Sequence, residues 1–272
     1  MPTTAVNGVR LHYELHGDTG EPLVLVHGYT GDVTDWKFQI AEFSRDYRVL
    51  AMDLRGHGRS EAPADRSAYT IPAMSSDVEA LVDEVGFTKY HLVGHSMGGA
   101  VVQEVALHSP ERLLSLTLED TAPILHVPGY TAMEEWNSKQ ISVAESEGMA
   151  AVVALHRDSP LPLPVPPDLQ EMANRRMAKM SVDGFIGVTL AGPKWQGTVE
   201  RAPAISTPTL IIYGALDLPP VVFASQWLAQ LIPHAKVEAI PQAGHSPQWE
   251  QPDLYNQALR RHLEANRAGS RV

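Results

Sequence analysis

The segment His91-Leu-Val-Gly-His-Ser-Met-Gly-Gly-Ala100 constrains the fold more than any other stretch of the chain. An apolar run leads into Ser96, which stands between Gly94 and Gly98, and apolar residues at helical spacing follow. A Gly-x-Ser-x-Gly pattern between a strand and a helix predicts a sharp turn that holds the serine hydroxyl above the end of a sheet. We therefore expect Ser96 to be a nucleophile. The amide of Met97, at the start of the helix, is expected to face the atom that the serine attacks.

Strand and helix patterns alternate along most of the chain. Asn7-Gly8 between two short strand patterns predicts a hairpin, and Pro22–Val26 is apolar throughout, as in a strand covered on both faces. The other predicted strands are Arg48–Met52, Leu114–Glu119, Thr209–Tyr213 and Lys236–Ile240. The predicted helices include Val33–Ser44, Thr70–Val85, Pro219–Leu231 and Leu254–Leu263. This alternation predicts an α/β fold with a doubly wound, mostly parallel sheet of about eight strands, whose functional residues lie at the carboxyl ends of the strands.

The alternation stops between residues 121 and 200. Prolines are dense enough in Ser159–Asp168 to exclude a helix there, whereas Asp168-Leu-Gln-Glu171 has the spacing of a capping box for a helix to about Met180. We predict a core formed by residues 1–120 and 201–272, with residues 121–200 inserted as a helical lid or cap. A second small domain is the alternative. The following side chains fit either an internal core or an apolar surface over a substrate: Met133, Met149, Met172, Met177, Met180, Trp136 and Trp195.

Composition limits the classes of partner. The 272 residues suffice for one large α/β domain, and no apolar run is long enough to span a membrane. A formal charge of −11 disfavours nucleic acids and anionic membrane surfaces as partners. The chain has no cysteine, which excludes disulfides and thiolate metal sites, and it shows no metal-binding spacing of histidines. With no visible signal peptide, we expect a cytoplasmic monomer or homodimer that uses neither metal nor cofactor.

A serine hydroxyl needs a base to take its proton and a third group to orient that base. The chain order serine, acid, histidine suits a sheet of this kind, and Ser96, Asp217 and His245 each follow a predicted strand end. Parallel strands would bring these residues to one edge of the sheet. Glu119 and Asp120, which follow the strand after the elbow, are the alternative acids. Three other histidines near the site are expected to make mainly structural hydrogen bonds: His27, His57 and His95.

Taken together, these motifs resemble the α/β-hydrolase family. The matching stretches, in order, are His27-Gly-Tyr29, Asp53-Leu-Arg-Gly-His-Gly-Arg-Ser60, Gly94-His-Ser-Met-Gly-Gly99, Asp217 and Gly244-His245. The resemblance implies hydrolysis of carboxylic esters through an acyl-enzyme, with Ser96 attacking, His245 carrying the proton and Asp217 orienting the histidine. It also implies that the backbone N–H groups of Tyr29 and Met97 bind the oxyanion.

The resemblance leaves the substrate open. We expect a small-molecule ester with a small to medium apolar acyl group. The expected pocket consists of Gly28, His95, Trp136, Met172, Trp195 and Trp249. A serine at the elbow separates the chain from the haloalkane dehalogenases and epoxide hydrolases of this fold, which carry aspartate there.

Three other activities remain open. Met97-Gly-Gly99 and Trp249-Glu250 resemble hydrolases that cleave carbon–carbon bonds in ring-fission products, although His95 and Ser246 depart from their pattern. Those dianionic substrates require an arginine in the lid, and the available ones are Arg157, Arg175 and Arg176. A lactonase would use the same machinery as an esterase. A ligand receptor with this fold is the alternative from another class.

Overall fold

The computed structural model describes residues 2–126, 131–158 and 166–268. The strands are β1 (Thr3–Val6), β2 (Val9–His16), β3 (Pro22–Val26), β4 (Arg48–Met52), β5 (Tyr90–His95), β6 (Leu113–Glu119), β7 (Thr209–Gly214) and β8 (Lys236–Ile240). The helices are α1 (Lys37–Phe43), α2 (Ile71–Glu84), α3 (Met97–His108), α4 (Thr131–Glu147), α5 (Met149–Arg157), α6 (Pro167–Met177), α7 (Val182–Lys194), α8 (Pro219–Leu231), α9 (Pro247–Glu250) and α10 (Pro252–Glu264).

The strands form an eight-stranded sheet in the order β1-β2-β4-β3-β5-β6-β7-β8. Strands β3 to β8 pair in parallel, whereas β1 and β2 form an antiparallel hairpin that joins the sheet along β4. Val6 pairs with Val9, and the two residues between them, Asn7 and Gly8, have positive φ angles of 49° and 76°, as a tight hairpin turn requires. The predicted hairpin and the mostly parallel sheet are both confirmed.

Helices cover both faces of the sheet. On one face, α2, α3 and α8 pack against it through side chains such as Leu81, Val101 and Leu228. On the other face, α1 and α10 do so through side chains such as Phe43 and Leu259. Strands β3, β5, β6 and β7 are buried at every position as a result, which explains why their sequences lack alternation.

Two predicted helix boundaries need correction. The predicted helix Val33–Ser44 is a 3₁₀ turn, Val33–Trp36, followed by α1. Asp168 does not cap α6, because that helix already begins at Pro167 and has no side-chain cap. Proline suits the first helical position, where no backbone donor is needed, and it therefore starts the helix before the expected capping box. Residues 159–165 of the proline-rich segment lie outside the described residues.

Four helices, α4 to α7, lie between β6 and β7, and we call them the helical insertion. They enclose an apolar cluster of their own, which contains Met149, Met177, Met180 and Phe185. The insertion is tied to the core by Arg66, whose guanidinium donates to carboxylates on α4 and α7 at 2.7 and 2.8 Å. Within the described ranges, no helix combines the length and the apolar character that crossing a bilayer would require.

Candidate active site

The nucleophile elbow is a strained turn between β5 and α3. Ser96 has φ 53° and ψ −116°, a combination that residues with a side chain rarely adopt. The surrounding structure holds it there: the Ser96 N–H donates to the Glu119 carbonyl at 2.8 Å, and the Ser96 carbonyl accepts from the Gly99 amide at 2.9 Å and the Thr121 hydroxyl at 2.7 Å. The strain places the serine side chain at the carboxyl edge of the sheet, where it is partly exposed.

The elbow glycines are needed for the reason that the sequence indicated. A Cβ atom on Gly94 would lie 2.5 Å from the carbonyl oxygen of Gly98, across the turn. A Cβ atom on Gly98 would lie 2.5 Å from the Val26 carbonyl oxygen at the end of β3. Real Cβ atoms do not approach backbone this closely, so the helix can start beside β3 only with glycine at these positions.

Ser96, His245 and Asp217 form a continuous hydrogen-bonded chain. The His245 Nε2 atom lies 3.0 Å from the Ser96 Oγ atom, and its Nδ1 atom lies 2.7 Å from the Asp217 Oδ2 atom. Asp217 is 6% exposed, whereas His245 and Ser96 are partly exposed. Burial alone would raise the pKa of Asp217, but the hydrogen bond and charge of His245 outweigh it and lower that pKa. Asp217 is therefore ionised and fixes His245 with Nε2 directed at the serine.

Neither alternative acid bonds to His245. Glu119 accepts a hydrogen bond from the Tyr255 hydroxyl at 2.8 Å, and the side-chain amide of Gln248 lies 2.5 Å from its other oxygen. Burial raises the pKa of Glu119 to about 8, so it is mainly neutral at pH 7. Asp120 accepts through Oδ1 from the Gly214 amide at 3.0 Å.

The loop after β3 carries the second expected oxyanion donor. Within the described ranges, the backbone amides of Tyr29 and Met97 have no protein acceptor, so both are available to a ligand. Gly28 brings this loop against the elbow, because a Cβ atom there would lie 3.1 Å from the Ser96 Cβ atom. The Tyr29 hydroxyl lies 2.7 Å from the Thr189 hydroxyl of α7, which links the loop to the helical insertion.

Two buried neutral histidines hold the same loop. The Nε2 atom of His27 accepts from the Leu54 amide at 3.0 Å, so its Nδ1–H donates to the Gly28 carbonyl at 2.7 Å. The Nε2 atom of His57 accepts from the Thr30 amide at 3.2 Å. Burial lowers the pKa of His27 to about 4 and that of His57 to about 3. Their expected structural role agrees with these contacts.

His95 also contacts the site and remains neutral. Its Nε2–H donates to the backbone carbonyl of His245 at 2.7 Å and thereby supports the loop of that histidine. Burial, together with the nearby charge of His245, lowers the pKa of His95 to about 4. A Cβ atom on Gly28 would lie 2.9 Å from the His95 Nδ1 atom, so His95 lies next to the loop that carries Tyr29.

The other residues of the expected pocket lie in different places. Met172 of α6 accepts from the Thr34 hydroxyl at 3.6 Å. Trp136 packs edge-on against His156 inside the insertion, with 5.3 Å between ring centres. Trp249 is buried and donates to the Asp35 carbonyl at 2.7 Å.

Trp195 lies away from the elbow. Its indole N–H donates to Glu104 at 2.6 Å. Glu104 is seven residues beyond Met97 in α3, or about 10 Å along the helix at 1.5 Å per residue. Trp195 is also part of the core cluster between helices and sheet.

The three arginines considered for an anionic substrate differ in their surroundings. Arg176 is mostly buried and forms an ion pair with Asp35, with Asp32 at 3.6 Å. Arg175 is exposed and pairs with Glu171 one turn away on α6. Arg157 is exposed at the end of α5. The buried member of the set is therefore already neutralised by two carboxylates.

Asp120, Asp217 and His245 are also the described side chains to consider for a metal, since one ligand atom of each lies within 4.8 Å of the others. The Nδ1 atom of His245 and the Oδ2 atom of Asp217 are 2.7 Å apart. Tetrahedral ligands of zinc at 2.1 Å stand about 3.4 Å apart, so these two atoms have hydrogen-bond spacing rather than metal-ligand spacing. The site is suited to proton transfer.

Two contacts that shape the site were not predicted from the sequence. Thr121 bonds to the Ser96 carbonyl, and its side chain lies where a Cβ atom on Gly99 would be. Asp35 joins Arg176 of the insertion to Trp249, four residues after His245. Both depend on residues distant in sequence, although Thr121 follows a strand end and was open to the same argument as Asp120.

Comparisons with known proteins agree with this fold. A family model described as alpha/beta hydrolase fold matches residues 21–147. The dihydrolipoyllysine-residue acetyltransferase component of the acetoin cleaving system from Pseudomonas putida is 32% identical over 268 residues, which are 95% of this chain and 68% of that protein. The chain thus spans about two thirds of the length of this relative.

Two solved structures are similar over nearly the whole chain. The enol-lactonase from Burkholderia xenovorans LB400 has a TM-score of 0.84 and 27% identity, covering 97% of this chain and 100% of that one. A thermophilic esterase from Thermogutta terrifontis, with malate bound, has a TM-score of 0.84 and 29% identity, covering 98% of this chain and 97% of that one. The chain therefore belongs to the α/β-hydrolase superfamily and is a hydrolase of that fold.

Proposed function

We propose that this protein is a serine hydrolase that cleaves carboxylic esters through an acyl-enzyme. The observation that carries the proposal is the chain of contacts from Asp217 Oδ2 to His245 Nδ1 at 2.7 Å and from His245 Nε2 to Ser96 Oγ at 3.0 Å. A buried carboxylate, an imidazole and a hydroxyl in this order are the groups that activate a serine at neutral pH.

In the first half-reaction, the Ser96 oxygen attacks the ester carbonyl carbon while His245 Nε2 takes the hydroxyl proton. The resulting oxyanion is bound by the free amides of Tyr29 and Met97, which are fixed before the substrate arrives. His245 then gives its proton to the leaving alkoxide as the carbon–oxygen bond breaks. The products of this half-reaction are an alcohol and an acylated Ser96.

The second half-reaction repeats these steps with water as the nucleophile. His245 takes a proton from the water, the oxyanion forms again, and the bond to Ser96 breaks as the serine regains its proton. Asp217 keeps His245 in the productive tautomer and stabilises its charged form throughout. The acid, base and nucleophile are all side chains of this chain, so the proposal includes no cofactor.

The substrate we propose has an uncharged acyl group of small to medium size. The helical insertion acts as the cap in this proposal, because its α7 reaches Tyr29 and its cluster of methionines and Phe185 borders the same residue. Methionine side chains adapt to ligands of different shape. Arg176, the buried one of the three arginines considered, is already paired with two aspartates and so offers no free buried cation to the dianionic products of ring fission.

A lactone is the second candidate substrate. The similarity to the Burkholderia enol-lactonase favours it, and the chemistry is the same because a lactone is an ester closed into a ring. The difference lies in the leaving group, which stays attached to the acyl-enzyme until water releases it. A pocket that serves a lactone must therefore hold both parts of the substrate at once.

Initial rates on p-nitrophenyl esters of increasing acyl length, and on aliphatic lactones by proton release, test both candidates. Wild type and Ser96→Ala are measured side by side. Serine-dependent turnover of the esters supports the proposal, and their chain-length optimum measures the depth of the pocket. Turnover of lactones alone favours the second candidate. Turnover that survives in Ser96→Ala contradicts both candidate substrates. Saturable ligand binding without turnover also contradicts both and favours a ligand receptor.

A further inference from the structure

A second buried carboxyl group lies beside the acid of the triad. Asp120 follows β6 directly and has a φ of 40°, in the left-handed region. Its backbone N–H donates to the Ile212 carbonyl of β7 at 2.9 Å, and its Oδ1 atom accepts from the Gly214 amide at 3.0 Å. Two contacts to one neighbouring strand therefore fix both the backbone and the side chain, which is 2% exposed.

The other oxygen of this side chain has no donor. Among the described residues, no N–H or O–H group bonds to Asp120 Oδ2, which is fully buried. Asp120, Asp217 and His245 each place one side-chain ligand atom within 4.8 Å of the others. Each oxygen of Asp217 already has a donor, from the Leu218 amide at 2.6 Å and from His245 Nδ1 at 2.7 Å, and each has a second lone pair.

Two buried carboxyl groups this close cannot both be ionised at neutral pH without a large electrostatic cost. Asp217 keeps the negative charge, because His245 and the Leu218 amide both bond to it. Burial raises the pKa of Asp120 well above its usual value, and the negative charge of Asp217 raises it further. The other neighbours of Asp120 are Glu119 at the end of β6 and Tyr255 on α10. Neither carries a positive charge that would lower the pKa of Asp120.

We propose that Asp120 is a positioning residue that carries a proton on Oδ2 and donates it to the carboxylate of Asp217. This inference rests on the proposed function, in which Asp217 orients His245. The donated hydrogen bond fixes the plane of the Asp217 carboxylate so that Oδ2 of Asp217 faces His245 Nδ1. The single negative charge of the two carboxyl groups then lies on Asp217, next to His245 Nδ1, where it stabilises the imidazole.

The arrangement has a consequence at alkaline pH. When Asp120 loses its proton, the donor is replaced by a second negative charge beside Asp217. The titratable groups around Asp120 are Asp217, His245, Glu119 and Tyr255. His245 already bonds to Asp217, and Tyr255 and Glu119 bond to each other, so none of them can replace Asp120 as a donor without losing its present partner. Activity should therefore fall as pH rises through the pKa of Asp120, whereas stability should fall from about pH 4 up to that pKa and stay level above it.

Asp120→Asn is the decisive variant. Asparagine tolerates the left-handed backbone, its oxygen can accept from the Gly214 amide, and its amide donates to Asp217 at every pH. We expect Asp120→Asn to retain most of the wild-type kcat and to lack the alkaline decline of kcat/KM. Asp120→Ala, which removes a hydrogen bond to a charged group, should lower kcat/KM by roughly tenfold to a hundredfold. Asp217→Asn should lower kcat by about 10⁴-fold.

A second measurement is independent of activity. The folded protein keeps a proton on Asp120 that the unfolded chain releases above about pH 4, so rising pH favours unfolding. The urea midpoint of wild type should fall more steeply than that of Asp120→Asn between about pH 5 and about pH 9. Glu119 contributes equally to both proteins and cancels in the comparison.

Two results would overturn the inference. If Asp120→Asn loses as much activity as Asp217→Asn, the charged form of Asp120 is the one that acts. Asp120 is not protonated if two comparisons show no difference between Asp120→Asn and wild type. These are the decline of kcat/KM at alkaline pH and the change of urea midpoint between about pH 5 and about pH 9. Failure of the proposed function has a different signature, namely turnover that survives in Ser96→Ala, and the urea comparison still decides the protonation of Asp120 in that case.

Discussion

The guanidinium of Arg176, on α6 of the helical insertion, forms an ion pair with Asp35 in the 3₁₀ turn of the core. The backbone carbonyl of Asp35 accepts from the Trp249 indole at 2.7 Å, and Trp249 belongs to the short helix that follows His245. Asp35 therefore connects the insertion with the segment that carries His245.

Arg176→Gln should destabilise the protein by about 3 kcal/mol, because it leaves the buried Asp35, and the partly buried Asp32 beside it, without their cation. Arg175→Gln is the matched control. It removes an exposed pair within α6 and should change the free energy of unfolding by less than about 0.5 kcal/mol. Urea titration at neutral pH measures both. Equal effects of the two substitutions would show that the buried pair does not hold the insertion to the core.

Substitution of the elbow serine separates catalysis from backbone strain. Ser96→Ala and Ser96→Gly should both lower kcat by roughly a million-fold, since each removes the nucleophile. Ser96→Gly should be more stable than Ser96→Ala by about 1 kcal/mol, because glycine adopts the conformation at φ 53° and ψ −116° without strain. Thermal unfolding gives the comparison. A more stable alanine variant would mean that the turn is not strained.

Gly28→Ala should disturb the oxyanion loop. The new methyl group would lie 2.9 Å from His95 Nδ1 and 3.1 Å from the Ser96 Cβ atom, so the loop must move away from the elbow. A misplacement of about 1 Å costs about a hundredfold in kcat/KM, so we expect a loss of up to that size. Gly192→Ala in α7 is the control, because its methyl group would find its nearest neighbour at an ordinary 3.5 Å. Full activity in Gly28→Ala would remove this loop from the mechanism.

Acid should destabilise the protein through His27 and His57. Burial lowers their pKa values to about 4 and about 3, whereas the unfolded chain binds these protons near pH 6.5. Their contribution is complete above pH 6.5 and is lost as pH falls, by up to about 1.4 kcal/mol per pH unit for each histidine. Urea titrations between about pH 7.5 and about pH 5 should show this loss.

His57→Gln should reduce that acid-side slope, because the glutamine oxygen can accept from the Thr30 amide without binding a proton. His108→Gln is the control. His108 is exposed beside Glu79, which raises its pKa, so removing it should not lessen the loss of stability in acid. An unchanged slope in His57→Gln would place the acid sensitivity elsewhere.

Local backbone requirements made the elbow and the sheet predictable. The conformation of the elbow is determined by a few neighbouring residues, namely Gly94, Gly98 and the apolar runs beside them. The same holds for the Asn7-Gly8 turn. The order of strands then follows from general rules of parallel sheets.

The choice between Asp120 and Asp217 could not be made in the same way. Both residues follow the ends of neighbouring strands, and only the direction of each side chain decides which of them meets His245. The place of Trp195 depends on how the chain returns from the insertion towards α3, a long-range packing relationship that no local pattern encodes. The start of α6 was mispredicted because Pro167 and Asp168 both favour the beginning of a helix. The helix begins at the earlier of the two, Pro167.

The pairing of β6 with β7, from Leu116 opposite Thr209 to Glu119 opposite Ile212, means that the chain leaves the sheet and re-enters it on adjacent strands. The segment between β6 and β7 leaves the sheet and returns to it at one place, so the length of this segment does not affect the spacing of Ser96 and Asp217. We therefore expect related chains to differ in the helical insertion, and with it in the substrate, while Ser96, Asp217 and His245 keep their places along with Asp120 and Thr121 beside them.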